Sequence, residues 1–403
     1  MLPHSNISYF LFLRDVLWLA CSAFGGPQVH ISLFLDLLVA KRKYLNEDEF
    51  LELNALCNIL PGPSSSQTIV AIGFQKGGIR LAYLTLIVWC LPSVVLMILM
   101  AIFIHFIQTQ AISMHFLVYV QPVAVGFVCF SALRITQLVW GTKTTFVLIF
   151  ITSIVGYYIR SPWVFPLAVI IGGLITSFLR FRNLPKEEQP PIIKINWTGF
   201  NLYWGMMVLS WLLAEITGDD FLRLFVNFYR NGSFVFGGGQ VLMPVLFTEF
   251  VDFKEFLTKE EFLSGYGMAQ LVPGPVFSFT AYIGALSIHE QQGTLGQIIA
   301  GVASAAGIFL PGTFLIFFVI RMWGELKKYR FIKASLEGIQ AANAGLVIAA
   351  AVIFLEPQGM SWVNVSLVIG SALALTFTKI SQPFLIVLAL LAGIIETIIM
   401  YYL

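Results

Sequence analysis

The chain has 403 residues, 58% of them hydrophobic and 11% charged, where soluble proteins carry about 25% charged residues. Its net charge of +2 is small and scattered, which argues against a nucleic-acid-binding surface. At this hydrophobicity the two or three soluble domains that length alone suggests are excluded as well, and the expected class is an all-α polytopic membrane protein.

The first residues offer no basic n-region and no small-residue cleavage site, so no removable signal peptide is expected. Arg14 and Asp15 interrupt the first apolar run and read as ion-paired or interfacial. Cys21, Cys57, Cys90 and Cys129 sit in apolar segments at no metal-ligand spacing, so they read as small hydrophobes, with no metal site and no disulfide. No cofactor is implied.

Tyr9 to Ala23 is apolar but short, and it ends at FGGPQVH, Phe24 to His30. A span needs about 20 apolar residues, and shorter runs mark re-entrant or interfacial segments. The next run, to Ala40, places Gln28, Ser32 and Asp36 at spacing four, a polar stripe on one helix face. A basic cluster, Lys41 to Lys43, closes it. Asn46 with Glu49 resembles a capping box opening a helix from Glu47 to Leu60.

That helix stops at LPGPSSSQ, Leu60 to Gln67, where Pro61 and Pro63 bracket Gly62. Such a sequence ends one helix and starts another, since proline removes a donor yet suits a first helical position. The first 75 residues thus read as two short hairpins with tips FGGP and PGP. Longer runs follow: Leu81 to Ile107 with Pro92 as a kink, His115 to Trp140, Thr144 to Ile159 and Pro162 to Phe181. Arg182 to Lys194 is polar and reads as a linker, and Trp197 to Ile216 as one extra crossing.

From Asp219 the chain repeats itself. An offset of 212 lays Phe24-Gly25-Gly26 on Phe236-Gly237-Gly238, Glu49 on Glu261, and Pro61-Gly62-Pro63 on Pro273-Gly274-Pro275 without a gap. Later an offset of 219 aligns Leu91-Pro92 with Leu310-Pro311 and Gly126 with Gly345. Gln108 to Ser113 has no cation, whereas its counterpart, Arg321 to Lys333, has Arg321, Lys327, Lys328, Arg330 and Lys333. Arg134 and Lys143 flank a loop whose counterpart, Glu356 to Ser361, has none. Because cations favour the cytoplasmic side, opposite bias at equivalent loops implies opposite orientation. The expected architecture is two inverted-topology repeats, 1–181 and 219–403, joined by a linker and extra helix over 182–218. Each repeat holds two short helical hairpins, broken or re-entrant, and about four spanning helices.

FGGPQVH then LPGPSSSQ, and FGGGQVLMP then VPGPVFSFTAYIG, resemble the motifs of the chromate ion transporter family in its long, two-domain form. The resemblance covers both halves. Gln28 and Ser66 depart from the small residue and the threonine more usual there, which bears on substrate preference. The resemblance implies a prokaryotic inner-membrane transporter of a small inorganic oxyanion, commonly assigned to chromate efflux, with sulfate as a further candidate. The lipid bilayer is its other partner, and a homodimer is left open.

The tips themselves suit an anion. Discontinuous helices in inverted repeats point their N-termini at midplane sites, each with unpaired N–H groups and roughly half a positive charge. Helices starting near Gln28, Ser64, Gln240 and Val276 would present about two positive charges. A bare ion in a low-dielectric medium costs tens of kcal/mol, so further donors are needed. The candidates are Ser64, Ser65, Ser66 and Ser278, Gln28, Gln67 and Gln240, and His30, framed by Gly25, Gly26, Pro27, Gly62, Pro63, Gly237, Gly238, Gly239, Gly274 and Pro275. A lone FGGP or PGP serves packing as readily as binding, and the His30 ring could simply bond a backbone carbonyl. Asp36, Glu52 and Glu249 are the candidates for proton coupling, with a headgroup-boundary position as the alternative.

A channel, or a transporter for sulfate or another small anion or solute, is the alternative within transport. No HExxH, GxSxG elbow or Ser-His spacing recommends an intramembrane enzyme, and no soluble domain recommends an assembly protein. Replacing Ser64 to Ser66 together with alanine is expected to lower anion flux in proteoliposomes while leaving the folded yield intact; unchanged flux would remove the hydroxyls from the site.

Overall fold

The computed structural model describes residues 8–110, 113–180, 197–236, 238–323, 329–359 and 361–402, and no strand occurs among them. The polar linker Arg182 to Lys194, together with Lys327 and Lys328, lies outside the described residues.

Local chemistry sets the helix ends in both halves. α1 (Tyr9–Ser22) stops before the glycine break, and α2 (Pro27–Phe34) starts with proline at its first position. α3 (Glu47–Ile59) opens on the expected capping box: the Glu49 N–H donates to Asn46 Oδ1 (2.8 Å) and the Asn46 N–H to Glu49 Oε2 (3.1 Å). α4 (Ser64–Thr109) begins directly after the PGP and is interrupted at Gly77 and Gly78, where φ reaches +68°. α5 (Val120–Val139), α6 (Lys143–Tyr158), α7 (Val164–Arg180) and α8 (Thr198–Thr217) follow.

The second half runs through α9 (Asp220–Phe234), α10 (Gly239–Phe247) and α11 (Lys259–Ala269), the last with the Thr258–Glu261 capping box. A 3-10 turn, Val276–Ser278, leads into α12 (Phe279–Ser287) and α13 (His289–Val319), interrupted at Gly293. α14 (Arg330–Leu355), α15 (Trp362–Phe377) and α16 (Gln382–Tyr402) complete the chain.

α2 passes into a π-helix over Leu35–Lys41, and Ser32 and Asp36 are both exposed, as one polar stripe requires. A π-helix, Thr248–Phe253, follows α10 as well. The dihedrals stay helical at Pro92, and a break in them falls at Gly77 and Gly78, ahead of the long apolar run. Glycine reaches φ values that other residues avoid, while a membrane helix tolerates a proline whose freed carbonyl is satisfied by its surroundings.

Among the described residues, five helices are long and apolar enough to cross a membrane: Ser64–Thr109, Met114–Val139, Gly293–Val319, Ala334–Gln358 and Gln382–Met400. Four shorter apolar helices accompany them. α8 forms where the extra crossing is expected, but Thr198, Asn201 and Glu215 dilute its apolar run, and it is not one of the five. Large apolar side chains stand exposed along the helices, among them Ile87, Phe103, Phe150, Phe178 and Ile395. Soluble surfaces do not carry that much contiguous hydrocarbon, and lipid covers it. The chain is a multi-pass membrane protein.

The helices gather into two compact units. The first comprises Met1–Ile98, Pro185–Gly239 and Pro273–Ile332, and the second Leu99–Leu184, Gln240–Val272 and Lys333–Leu403. In the first, α9 and α13 approach through small residues: a Cβ on Gly232 would lie 2.6 Å from the Ile308 carbonyl, and one on Gly307 2.6 Å from that of Phe225. Its outer part is anchored by Asp15, buried and held by Arg42 (2.7 Å) and the Tyr44 hydroxyl (2.8 Å). Burial and the bond to Asp15 push the Tyr44 phenol up to about 12.

In the second unit α7 lies backbone to backbone on α14. The Gly338 N–H donates to Thr176 Oγ1 (3.1 Å), and a Cβ on Gly338 would fall 1.9 Å from the Gly172 carbonyl. Gly338→Val therefore has to push the helices apart and is expected to destabilise by about 1–3 kcal/mol, read as a lower unfolding temperature in detergent, whereas Gly370→Ala, with no atom within 4 Å of its Cβ, should leave it unchanged.

Candidate functional site

All four tips fall in the first compact unit. The Gly62 N–H donates to the Val235 carbonyl (2.7 Å), and the Gly274 N–H donates to the Ala23 carbonyl (2.9 Å). These are the same two positions at an offset of 212, so each PGP is stitched to the residue just before the other half's glycine break. Both glycines need positive φ, +110° at Gly62 and +102° at Gly274, a region closed to most side chains.

The crossed pairs enclose a small cavity. Pro27 and His30 form its wall at the first tip, Pro63, Ser64 and Ser65 at the second, Gly238 and Gly239 at the third, and Pro275 to Phe277 at the fourth. Its volume is about 10 Å³, room for one water. Helices begin against it at Pro27, Ser64 and Gly239. The fourth start, Val276, is a single 3-10 turn and contributes a weaker dipole. Among the described residues, no lysine, arginine or carboxylate lines the wall.

The hydroxyls divide into two groups. Ser64 is half-buried on the cavity wall, and Ser65 is buried with its Oγ 3.0 Å from His30 Nδ1. Ser66 Oγ instead accepts from Trp89 Nε1 (3.0 Å), Ser278 Oγ pairs with Ser93 Oγ (2.7 Å), and Gln67 Nε2 donates to the Pro61 carbonyl (2.6 Å). The last three brace the tips from behind. Helical spacing accounts for the split, because consecutive residues in a first turn point about 100° apart and cannot all face one cavity.

Gly25 and Gly26 make the first break, with φ of +101° and +82°. Gly237 and the side chains of Gln28 and Gln240 lie outside the described residues. The expected proton-coupling acids are not brought to the cavity. Asp36 is exposed and bonded to Lys41 (2.7 Å), Glu52 is exposed on α3, and Glu249 is fully buried in the second unit with Lys254 Nζ at 3.4 Å. Trp89 and Ser93, which hold Ser66 and Ser278, were not foreseeable as site residues, since the one local signal in their apolar run, Pro92, marks a kink and names no partner.

The sequence profile of the chromate transporter family matches residues 10–177 and 222–394, together most of the chain, and the two segments start 212 residues apart. The chain belongs to the chromate transporter family. A chromate transport protein of Cupriavidus metallidurans is 26% identical over 96% of this chain and 92% of its own length. A probable chromate transport protein of Synechococcus elongatus is 25% identical over 98% of each chain. An uncharacterized transporter of Methanocaldococcus jannaschii is 23% identical over 88% of this chain and 86% of its own. No solved structure matches. Membership in a family of transporters makes the cavity at the tips the part of this transporter to explain.

The geometry separates two serines by effect. Ser66→Ala leaves the buried Trp89 N–H unpaired, at a cost of about 1–3 kcal/mol, and should lower thermal stability without changing anion affinity, so the triple alanine replacement is expected to cost stability as well as flux. Ser65→Ala unpairs His30 Nδ1 and should lower stability on the same scale, but it should weaken anion binding as well.

Proposed function

We propose that this transporter exports a tetrahedral oxyanion, chromate foremost, across the inner membrane by alternating access between inverted repeats 1–181 and 219–403, joined through 182–218. The observation that carries the reading is the convergence of four helix breaks, two from each half, on one cavity whose wall carries Ser64, Ser65 and His30 and, among the described residues, no fixed cation. Three helix N-termini and a 3-10 turn offer roughly half a positive charge each at most. That sum suits a dianion while leaving it releasable, as repeated turnover requires. The relatives named as chromate transport proteins, aligned over nearly the full length, support the choice of anion.

Alternating access is supported by size. A cavity with room for one water cannot hold a central atom with four oxygens, so the tips must part for the anion to enter. The crossed pairing gives the same joint at both ends of the duplication, and a structure that opens one joint and then the other exposes the cavity to each side in turn. Opposite cation bias at equivalent loops supports the inverted orientation.

Purified protein in liposomes should therefore show saturable chromate flux and counterflow, stimulated by chromate on the opposite side. Losing one hydrogen bond to a charged ligand costs about 1.5–3 kcal/mol, so Ser64→Ala and Ser65→Ala should each lower flux at limiting chromate by roughly ten- to a hundredfold. Unsaturable flux without counterflow would identify a channel, and sulfate competing as well as chromate would widen the substrate to tetrahedral oxyanions in general.

A further inference from the structure

His30 stands apart from the other groups at the cavity. It is wholly buried, its Nδ1 lies 3.0 Å from Ser65 Oγ, and its Nε2 is buried with no hydrogen-bond partner although the ring lines the cavity. Trp89 packs edge-on against it (5.3 Å) and Phe34 lies tilted beside it (6.4 Å). From α4 the ring meets Ser65 and Trp89, from α2 Phe34, and from the first tip the Ala23 backbone. The third and fourth tips give the cavity only glycine, proline, valine and phenylalanine. None of these is titratable, and no charged side chain lines the cavity beside the ring among the described residues. Among the described wall residues, the imidazole alone can change its charge.

We propose that His30 takes up a proton as the oxyanion binds, so that proton and anion load together; the inference rests on the oxyanion reading above. In the neutral tautomer with its hydrogen on Nε2, Nδ1 accepts from the Ser65 O–H. Adding one proton from water puts a hydrogen on Nδ1, which now donates to Ser65 Oγ and releases the serine hydrogen toward the cavity. A single proton thereby supplies one full positive charge and one extra donor, where the helix ends supply only fractions of a charge. An intramembrane ionisable group at a transport site is a functional candidate on its own terms. Linkage makes the effect mutual: the anion favours the imidazolium and the imidazolium favours the anion. When the anion leaves, the proton returns to water on that side.

Proton uptake and chromate binding, measured together on detergent-solubilised protein over a pH range where chromate is fully dianionic, test this. Uptake should approach one proton per anion bound, and affinity should fall by up to about tenfold per pH unit. His30→Gln, which keeps a polar group there, should bind more weakly, take up no proton and show a flat profile. Ser65→Ala folds independently of that variant's fate and should displace the pH profile. Chromate binding without proton uptake, a His30→Gln profile as steep as the wild type, or an undisplaced Ser65→Ala profile would each overturn the assignment while leaving the oxyanion site in place. Wild-type protein that binds no chromate at all would overturn both.

Discussion

A polypeptide buried in a membrane has to pair every backbone N–H, and a helix broken at its tip loses the partners it would have made within itself. Here the two PGP breaks solve the problem by crossing: Gly62 donates to Val235 and Gly274 to Ala23. Everything at the cavity depends on that joint. It allows Pro63 to release the next helix immediately, so that Ser64 and Ser65 open α4 against the cavity. It also explains the glycines, since positive φ at Gly62 and Gly274 is the conformation that turns their N–H groups toward the other half.

The proposed site has the electrostatics of weak binding. A fixed lysine or arginine would hold a dianion firmly, and none lines the wall among the described residues. Burying the ion against dipoles and hydroxyls alone is expensive. A ring that becomes charged only when the anion is present reconciles the two demands, because the charge disappears with the ligand. The ion pairs serve architecture instead. Buried Asp15 with Arg42 and Tyr44 ties α1 to the loop after the π-helix, and the partly exposed Arg160–Glu356 pair (2.8 Å) ties the end of α6 to that of α14.

Much of this was legible in the sequence because it rests on short-range chemistry. Proline and glycine spacing marked the breaks, Asn46 with Glu49 and Thr258 with Glu261 marked helix starts that both form, and hydropathy marked the membrane class. The family followed from the four tip motifs. What sequence could not resolve is which side chain of a helix's first turn meets which partner. The first turn of α4 sends Ser66 to Trp89 while Ser65 meets His30. Those outcomes depend on Trp89, which lies 23 residues further along the helix, in a run with no feature to set it apart.

Diffraction data collected at the chromium absorption edge from crystals grown with chromate would test the central claim most directly. An anomalous peak between Ser64, Ser65, His30 and Gly239 is the predicted result. A peak elsewhere, with this cavity still closed and empty, would contradict it.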